Sequence, residues 1–183
     1  MTSEEKPVLT GPRVTLRGAR DTDVEARFRL GNSVEIQRMF GTDPGQIREL
    51  TMDAAKAWVE SQKKEQYGWI IEADGALLGA VRLHTLNLVD LRANIAIGLL
   101  SEAHLNKGYG TETLRLLAGY AFDVMGLHRL TGRVLDFNAR AVASYIKVGF
   151  KEEGRERESA RIGDAWHDDI IIGLLSQDLE RLP

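Results

Sequence analysis

Residues 105–113 read LNKGYGTET and set two glycines, Gly108 and Gly110, between an apolar run and a helical pattern. The run before them, Ile95-Ala96-Ile97-Gly98-Leu99-Leu100, carries no charge and reads as a strand over 92–100. After them Leu114, Leu117, Ala118, Ala121 and Met125 recur at three- and four-residue spacing, the apolar face of a helix that Gly126 should stop. A strand therefore hands over to a helix at glycine. A helix N-terminus carries unsatisfied N–H groups and the positive end of the dipole, and glycine lets an anion approach that backbone. The same residues also suit a strained turn that needs glycine only for its own geometry, so the stretch alone leaves both readings open. Two common phosphate loops fit poorly. A P-loop needs its lysine after the last glycine, and Lys107 precedes Gly108. A dinucleotide fingerprint needs a third glycine where this chain has Glu112-Thr113.

The rest of the chain supplies the partners for that unit. RVTLRGAR (13–20) alternates as a strand, and Asp21 or Thr22 caps a helix to about Leu30. FGTDPG (40–45) is a turn cluster. Thr51 or Asp53 caps a second helix whose inner face is predicted at Ala54, Ala57, Trp58 and Ser61. Residues 68–84 form a hairpin around Asp74-Gly75, the pair a type I′ turn prefers. A strand over 128–136, a short helix over 138–149 with Asn138 as cap, and strands over 150–159 and 167–179 complete the chain. The order predicts one mixed sheet with helices on its faces.

With 183 residues the chain suits a single domain, 1–183. Lys and Arg number 24 and Asp and Glu 27, a formal charge of −3 that leaves no basic footprint for nucleic acid. There is no cysteine, which excludes disulfides and thiolate chemistry. The four histidines, His84, His104, His128 and His167, make no i, i+4 pair, so no metal site is expected. The polar, acidic start and the absence of a long apolar run favour a cytoplasmic protein that does not bind membrane.

GYGTET, YAFDVMGLHRL, NARA and YIKVGF, in this order and spacing, resemble the GNAT acyltransferase superfamily. The match is best to its RimJ/RimL-like branch of ribosomal-protein N-terminal and spermidine acetyltransferases, which the WHD at 166–168 also suits. The resemblance implies an α/β (α+β) fold, a single GNAT-type domain with a mixed, mostly antiparallel central sheet, splayed middle strands and helices on both faces. It implies acetyl-CoA as the donor. Backbone N–H groups of Lys107, Gly108, Tyr109, Gly110 and Thr111 would hold the pyrophosphate. The 92–100 strand would pair with the pantetheine arm, with the N–H of Leu99 or Leu100 facing the thioester oxygen, an oxyanion-type donor worth roughly 3 kcal/mol in other enzymes. Asn138 would meet the pantetheine amide and Arg140 a phosphate. Tyr145 stands at the family's general-acid position. Leu105 and Asn106 depart from the usual loop residues, and Asn94 stands where a glutamate base is common. An amine arrives as ammonium and must lose a proton; His84, Glu72 and Asp168 are the candidate bases, while Asn94 cannot take a proton at neutral pH but can orient a water.

The expected reaction is direct attack by a primary amine in a ternary complex. The acceptor is expected to be a small polycationic amine, polyamine- or aminoglycoside-like, because Asp43, Asp164, Asp168 and Asp169 fall in segments that face the acceptor in this fold. A ribosomal-type protein N-terminus is the alternative, and a non-catalytic CoA-binding module the alternative of another class. The chain is expected to be a monomer or homodimer.

Overall fold

A computed structural model describes residues 6–182, so residues 1–5 and 183 of the expected 1–183 domain lie outside the described part. Its strands are β1 (Leu9–Thr10), β2 (Thr15–Arg17), β3 (Gly68–Ala73), β4 (Ala76–Asn87), β5 (Arg92–Leu99), β6 (Arg129–Leu135), β7 (Lys151–Ile162) and β8 (Ala165–Leu175). Its helices are α1 (Asp23–Leu30), α2 (Val34–Met39), α3 (Met52–Lys64), α4 (Tyr109–Asp123) and α5 (Ala139–Ile146). The strands form one sheet in the order β1-β2-β3-β4-β5-β6-β8-β7. Among the described residues only β5 and β6 run parallel.

Strand alternation sorts the side chains into two layers. Trp69, Ile71, Val81, Leu83, Ile95 and Leu130 point to one face and form the main core with Leu114, Leu117, Ala118 and Ala121 of α4. Tyr120 of α4 meets Trp69 edge to face at 5.7 Å, and the Trp69 indole donates to the Pro7 carbonyl at 2.8 Å. Ile70 alternates with Trp69 and Ile71 and points to the opposite face, where α3 packs on β3 and α1 on α3. Buried Arg17 joins the layers at the sheet's start: it holds Asp23 of α1 through two bonds, at 2.7 and 2.9 Å, and Glu72 of β3 through Nε. That pairing meets the requirement that a buried charge be matched.

The predicted hairpin turn is present, with positive φ at both Asp74 (51°) and Gly75 (74°). Other expectations shift. The first strand is only three residues, 15–17, and α5 stops at Ile146. Of 167–179, the chain leaves the sheet after Leu175 and makes a 3-10 turn over Ser176–Asp178. α2 and β1 were not predicted, because VEIQRM is too short to show a period and LT too short to show an alternation. The buried face of α3 is Ala55 and Val59, not Ala54, Ala57 and Ser61, which are exposed; Trp58 is half-buried. Three alanines in four positions make the apolar stripe ambiguous, and the branched Val59 decides it. Thr51 caps this helix by accepting the Ala54 N–H at 3.1 Å. Thr51→Ala is expected to cost about 1 kcal/mol, read as a lower denaturant midpoint at unchanged slope.

Candidate active site

The parallel pair splits soon after it forms. β5 and β6 are partners only from Arg92–Asn94 against Arg129–Thr131. Beyond Asn94, β5 stays with β4 as far as Leu99, while β6 follows β8 as far as Leu135. Among the described residues, the edge of β5 from Ile95 to Leu99 that faces β6 therefore has no strand partner. N–H groups along a strand alternate between its edges. The Leu100 N–H donates to the Leu78 carbonyl at 2.9 Å. That bond engages the Leu100 N–H on β4 and leaves the N–H of Leu99 pointing the other way, into the gap.

A cavity of about 580 Å³ occupies this gap. Ile97, Gly98 and Leu99 wall it on one side and Asn138, Ala141 and Tyr145 on the other. The turn from Leu105 to Thr111, Lys107 excepted, closes one end, and Ile36, Met39 and Phe40 of the α2 segment cover it. The Phe40 ring lies so close to β5 that a Cβ on Gly98 would stand 2.7 Å from it, which explains a glycine inside this strand.

Gly108 is the residue before α4 and has φ of 84°, a left-handed conformation that disfavours a side chain. Asn106 shares that region with φ of 58°. Gly110 differs: a Cβ there would meet nothing within 4 Å, so its missing side chain leaves open space at the helix N-terminus. Such a cradle fits an anionic group. Gly108, Tyr109, Gly110 and Thr111 line the cavity, whereas Lys107 does not; its carbonyl turns back to accept from Arg13 at 2.9 Å.

Tyr145 is buried, packs edge to face on Phe150 at 4.9 Å and lines the cavity. Burial pushes its phenol well above the ordinary tyrosine range. The Asn138 carbonyl oxygen caps α5 by accepting the Ala141 N–H at 3.2 Å, which leaves its amide N–H₂ for the cavity it lines. Half-buried Arg140 also lines it. His104 is a further wall residue, its pKa lowered by burial and then by Lys107.

Asn94 lies at the apex of the split and opens into a second cavity, with Thr131, Thr85 and Arg92. His84 is the register partner of Asn94 on β4, so both side chains leave the same sheet face, though His84 lines neither cavity. Its Nδ1 is 3.0 Å from the Thr85 hydroxyl. Burial, then Arg82, lower its pKa against a smaller opposite pull from Glu65. Glu72 is removed from the site by its bond to Arg17. Asp168 accepts the Glu158 N–H at 2.8 Å and Asp169 is held by Arg133 at 2.8 Å, so both are engaged within the C-terminal strands. Asp164 is fully exposed beside Arg161, while Asp43 reaches toward Gly163 at the β7–β8 turn. The charged strand KEEGRERESAR is exposed along the sheet edge, as a charge-protected edge should be.

A cleft with free helix N–H groups at one end and an unpaired strand edge along one wall suits a ligand that is anionic at one end and extended and amide-bearing along the rest. The chain belongs to the acetyltransferase (GNAT) domain family, whose model matches residues 13–151. It is 30% identical over 183 residues to the "Probable N-acetyltransferase YjcK" of Bacillus subtilis, covering 95% of this chain and 100% of the relative. It is 28% identical over 141 residues to the spermidine N(1)-acetyltransferase of Escherichia coli K12, covering 77% of this chain and 74% of the relative. Its fold matches the spermidine N-acetyltransferase of Vibrio cholerae, solved with CoA and spermine, at a TM-score of 0.74 and 22% identity over 92% of this chain and 98% of that one. Among the described residues no helix is long and apolar enough to cross a membrane.

Proposed function

We propose that the chain acetylates a primary amine by direct attack within the split between β5 and β6, and that its acceptor is a small polycationic amine. The observation that carries the proposal is that the free edge of β5, the glycine turn and Tyr145 share one cavity. The polyamine acceptor is supported by the spermidine-acetylating relative; the aspartates give it less support, since Asp168 and Asp169 already have partners.

Acetyl-CoA, when bound, supplies an activated acetyl thioester. The N–H groups from Gly108 to Thr111 would hold its phosphates, and Asn138 and Arg140 would hold groups along the cavity. The Leu99 N–H, which faces the gap, would bind the acetyl oxygen. Tyr145, with its pKa raised, keeps its proton throughout the neutral range and so is a hydrogen-bond donor at the sulfur end.

His84 is the proposed base, acting with Asn94, which orients a water between amine and imidazole. Its lowered pKa leaves it neutral at pH 7, the form that accepts a proton. The sign follows: kcat falls on the acid side with an inflection below the ordinary 6.5, and is flat with respect to His84 above it. His84→Gln should remove that acid limb and lower kcat by about 10²-fold or less. An unchanged limb in the variant would take His84 out of the mechanism.

The acceptor is tested by kcat/KM for polyamines and aminoglycosides against peptides with free N-termini. A clear preference for polycations supports the proposal. A preference for peptides replaces it with the protein N-terminal reading, and CoA binding without thiol release for any amine leaves a non-catalytic module.

A further inference from the structure

The glycine turn is gripped from behind by the Arg13 side chain, 94 residues from Lys107 in sequence. Glu112, in the first turn of α4, is buried. Its carboxylate accepts the backbone N–H groups of Arg13 at 2.7 Å and Val14 at 2.8 Å, and the Arg13 Nε–H at 3.1 Å. Gly11 admits that carboxylate, since a Cβ there would stand 2.9 Å from it. Arg13 also donates from Nη1 to the Lys107 carbonyl at 2.9 Å. Its guanidinium carbon lies 5.1 Å from the centre of the Tyr109 ring. Its Nη2 fills the space a Gly108 side chain would take, 2.9 Å from the Cβ position. One guanidinium thus contacts Lys107, Gly108, Tyr109 and Glu112.

We propose that Arg13 is a positioning residue for CoA, which fixes the peptide between Lys107 and Gly108 so that the turn presents N–H groups, not a carbonyl, to the phosphates. The inference rests on reading this turn as the cofactor loop. In a trans peptide the C=O and the following N–H point to opposite sides. Drawing the Lys107 carbonyl back to Arg13 therefore sends the Gly108 N–H toward the cavity. Without the guanidinium this peptide is free to rotate, because glycine on its C-terminal side tolerates either orientation. A rotated carbonyl would place partial negative charge where a phosphate must approach. Lysine would restore a positive charge but not the fork that binds the Lys107 carbonyl and Glu112 together. Arg13 itself does not line the cavity, so its influence passes through the turn.

The test is calorimetric titration with CoA of wild type, R13A, R13K and G110D, each checked by thermal melt. R13A is expected to weaken CoA binding about tenfold, the size of one lost charge-assisted bond. KM for acetyl-CoA should rise in step while kcat stays within about twofold. R13K should remain weaker than wild type, and carries the test if R13A fails to melt cooperatively. Wild-type affinity in folded R13A, or full recovery in R13K, overturns the inference. Loss of binding in G110D within the same series leaves the loop reading standing when that happens; wild-type affinity in G110D removes both.

Discussion

Gly110→Asp is expected to weaken CoA binding by at least about 10²-fold while leaving the fold intact. A carboxylate at this position would stand in the open space at the N-terminus of α4, where nothing lies within 4 Å of the Cβ position. It would meet an incoming phosphate with like charge and satisfy the helix N–H groups itself, since acidic side chains favour that end of a helix. Gly110 separates these effects better than Gly108 does. Gly108→Asp should also abolish binding, but it adds backbone strain at φ of 84° and a collision with Arg13. Calorimetry on a cooperatively melting G110D reads the effect, and wild-type affinity there would remove the turn from the cofactor site.

Tyr145→Phe should lower kcat by about 10²-fold or more with little change in affinity for acetyl-CoA. Phenylalanine keeps the ring and its 4.9 Å contact with Phe150, so packing is preserved and only the hydroxyl is lost. The raised pKa defines what that hydroxyl can do. An ordinary thiol has a pKa of about 8.5, lower than that of a phenol already pushed above its usual 10. Full proton transfer to a thiolate of ordinary pKa would therefore be uphill, and the role proposed for the hydroxyl is a donated hydrogen bond. Steady-state kinetics with product release shown not to limit turnover measure the loss. Unchanged kcat would reduce Tyr145 to a packing residue.

What the sequence disclosed, and what it concealed, follow from the range of each interaction. The glycine turn, the Asp74-Gly75 hairpin and the Asn138 cap are local, and their chemistry is written in adjacent residues. The choice between Leu99 and Leu100 was not, because it depends on which N–H is taken by Leu78 on another strand. Phe40 explains Gly98 only once α2 is known to lie over β5. Glu72 looked free as a base until the fold paired it with Arg17 across 55 positions. Arg13 left no signal of its own, since its partners lie 94 and 99 positions away. The aspartates near residues 164–169 were legible as acidic but not as occupied, because Arg133 and the Glu158 N–H reach them from other parts of the sheet region.

One ligand, CoA, is expected to touch both the glycine turn and the free edge of β5. Titrating CoA into uniformly ¹⁵N-labelled protein and following backbone amide shifts tests it most directly. The largest saturable shifts should fall on Gly108, Tyr109, Gly110 and Thr111 at one end of the cleft and on Leu99 along its edge, with Leu100, already bonded to Leu78, moving less. Saturable binding that leaves the turn and Leu99 unmoved would contradict the account.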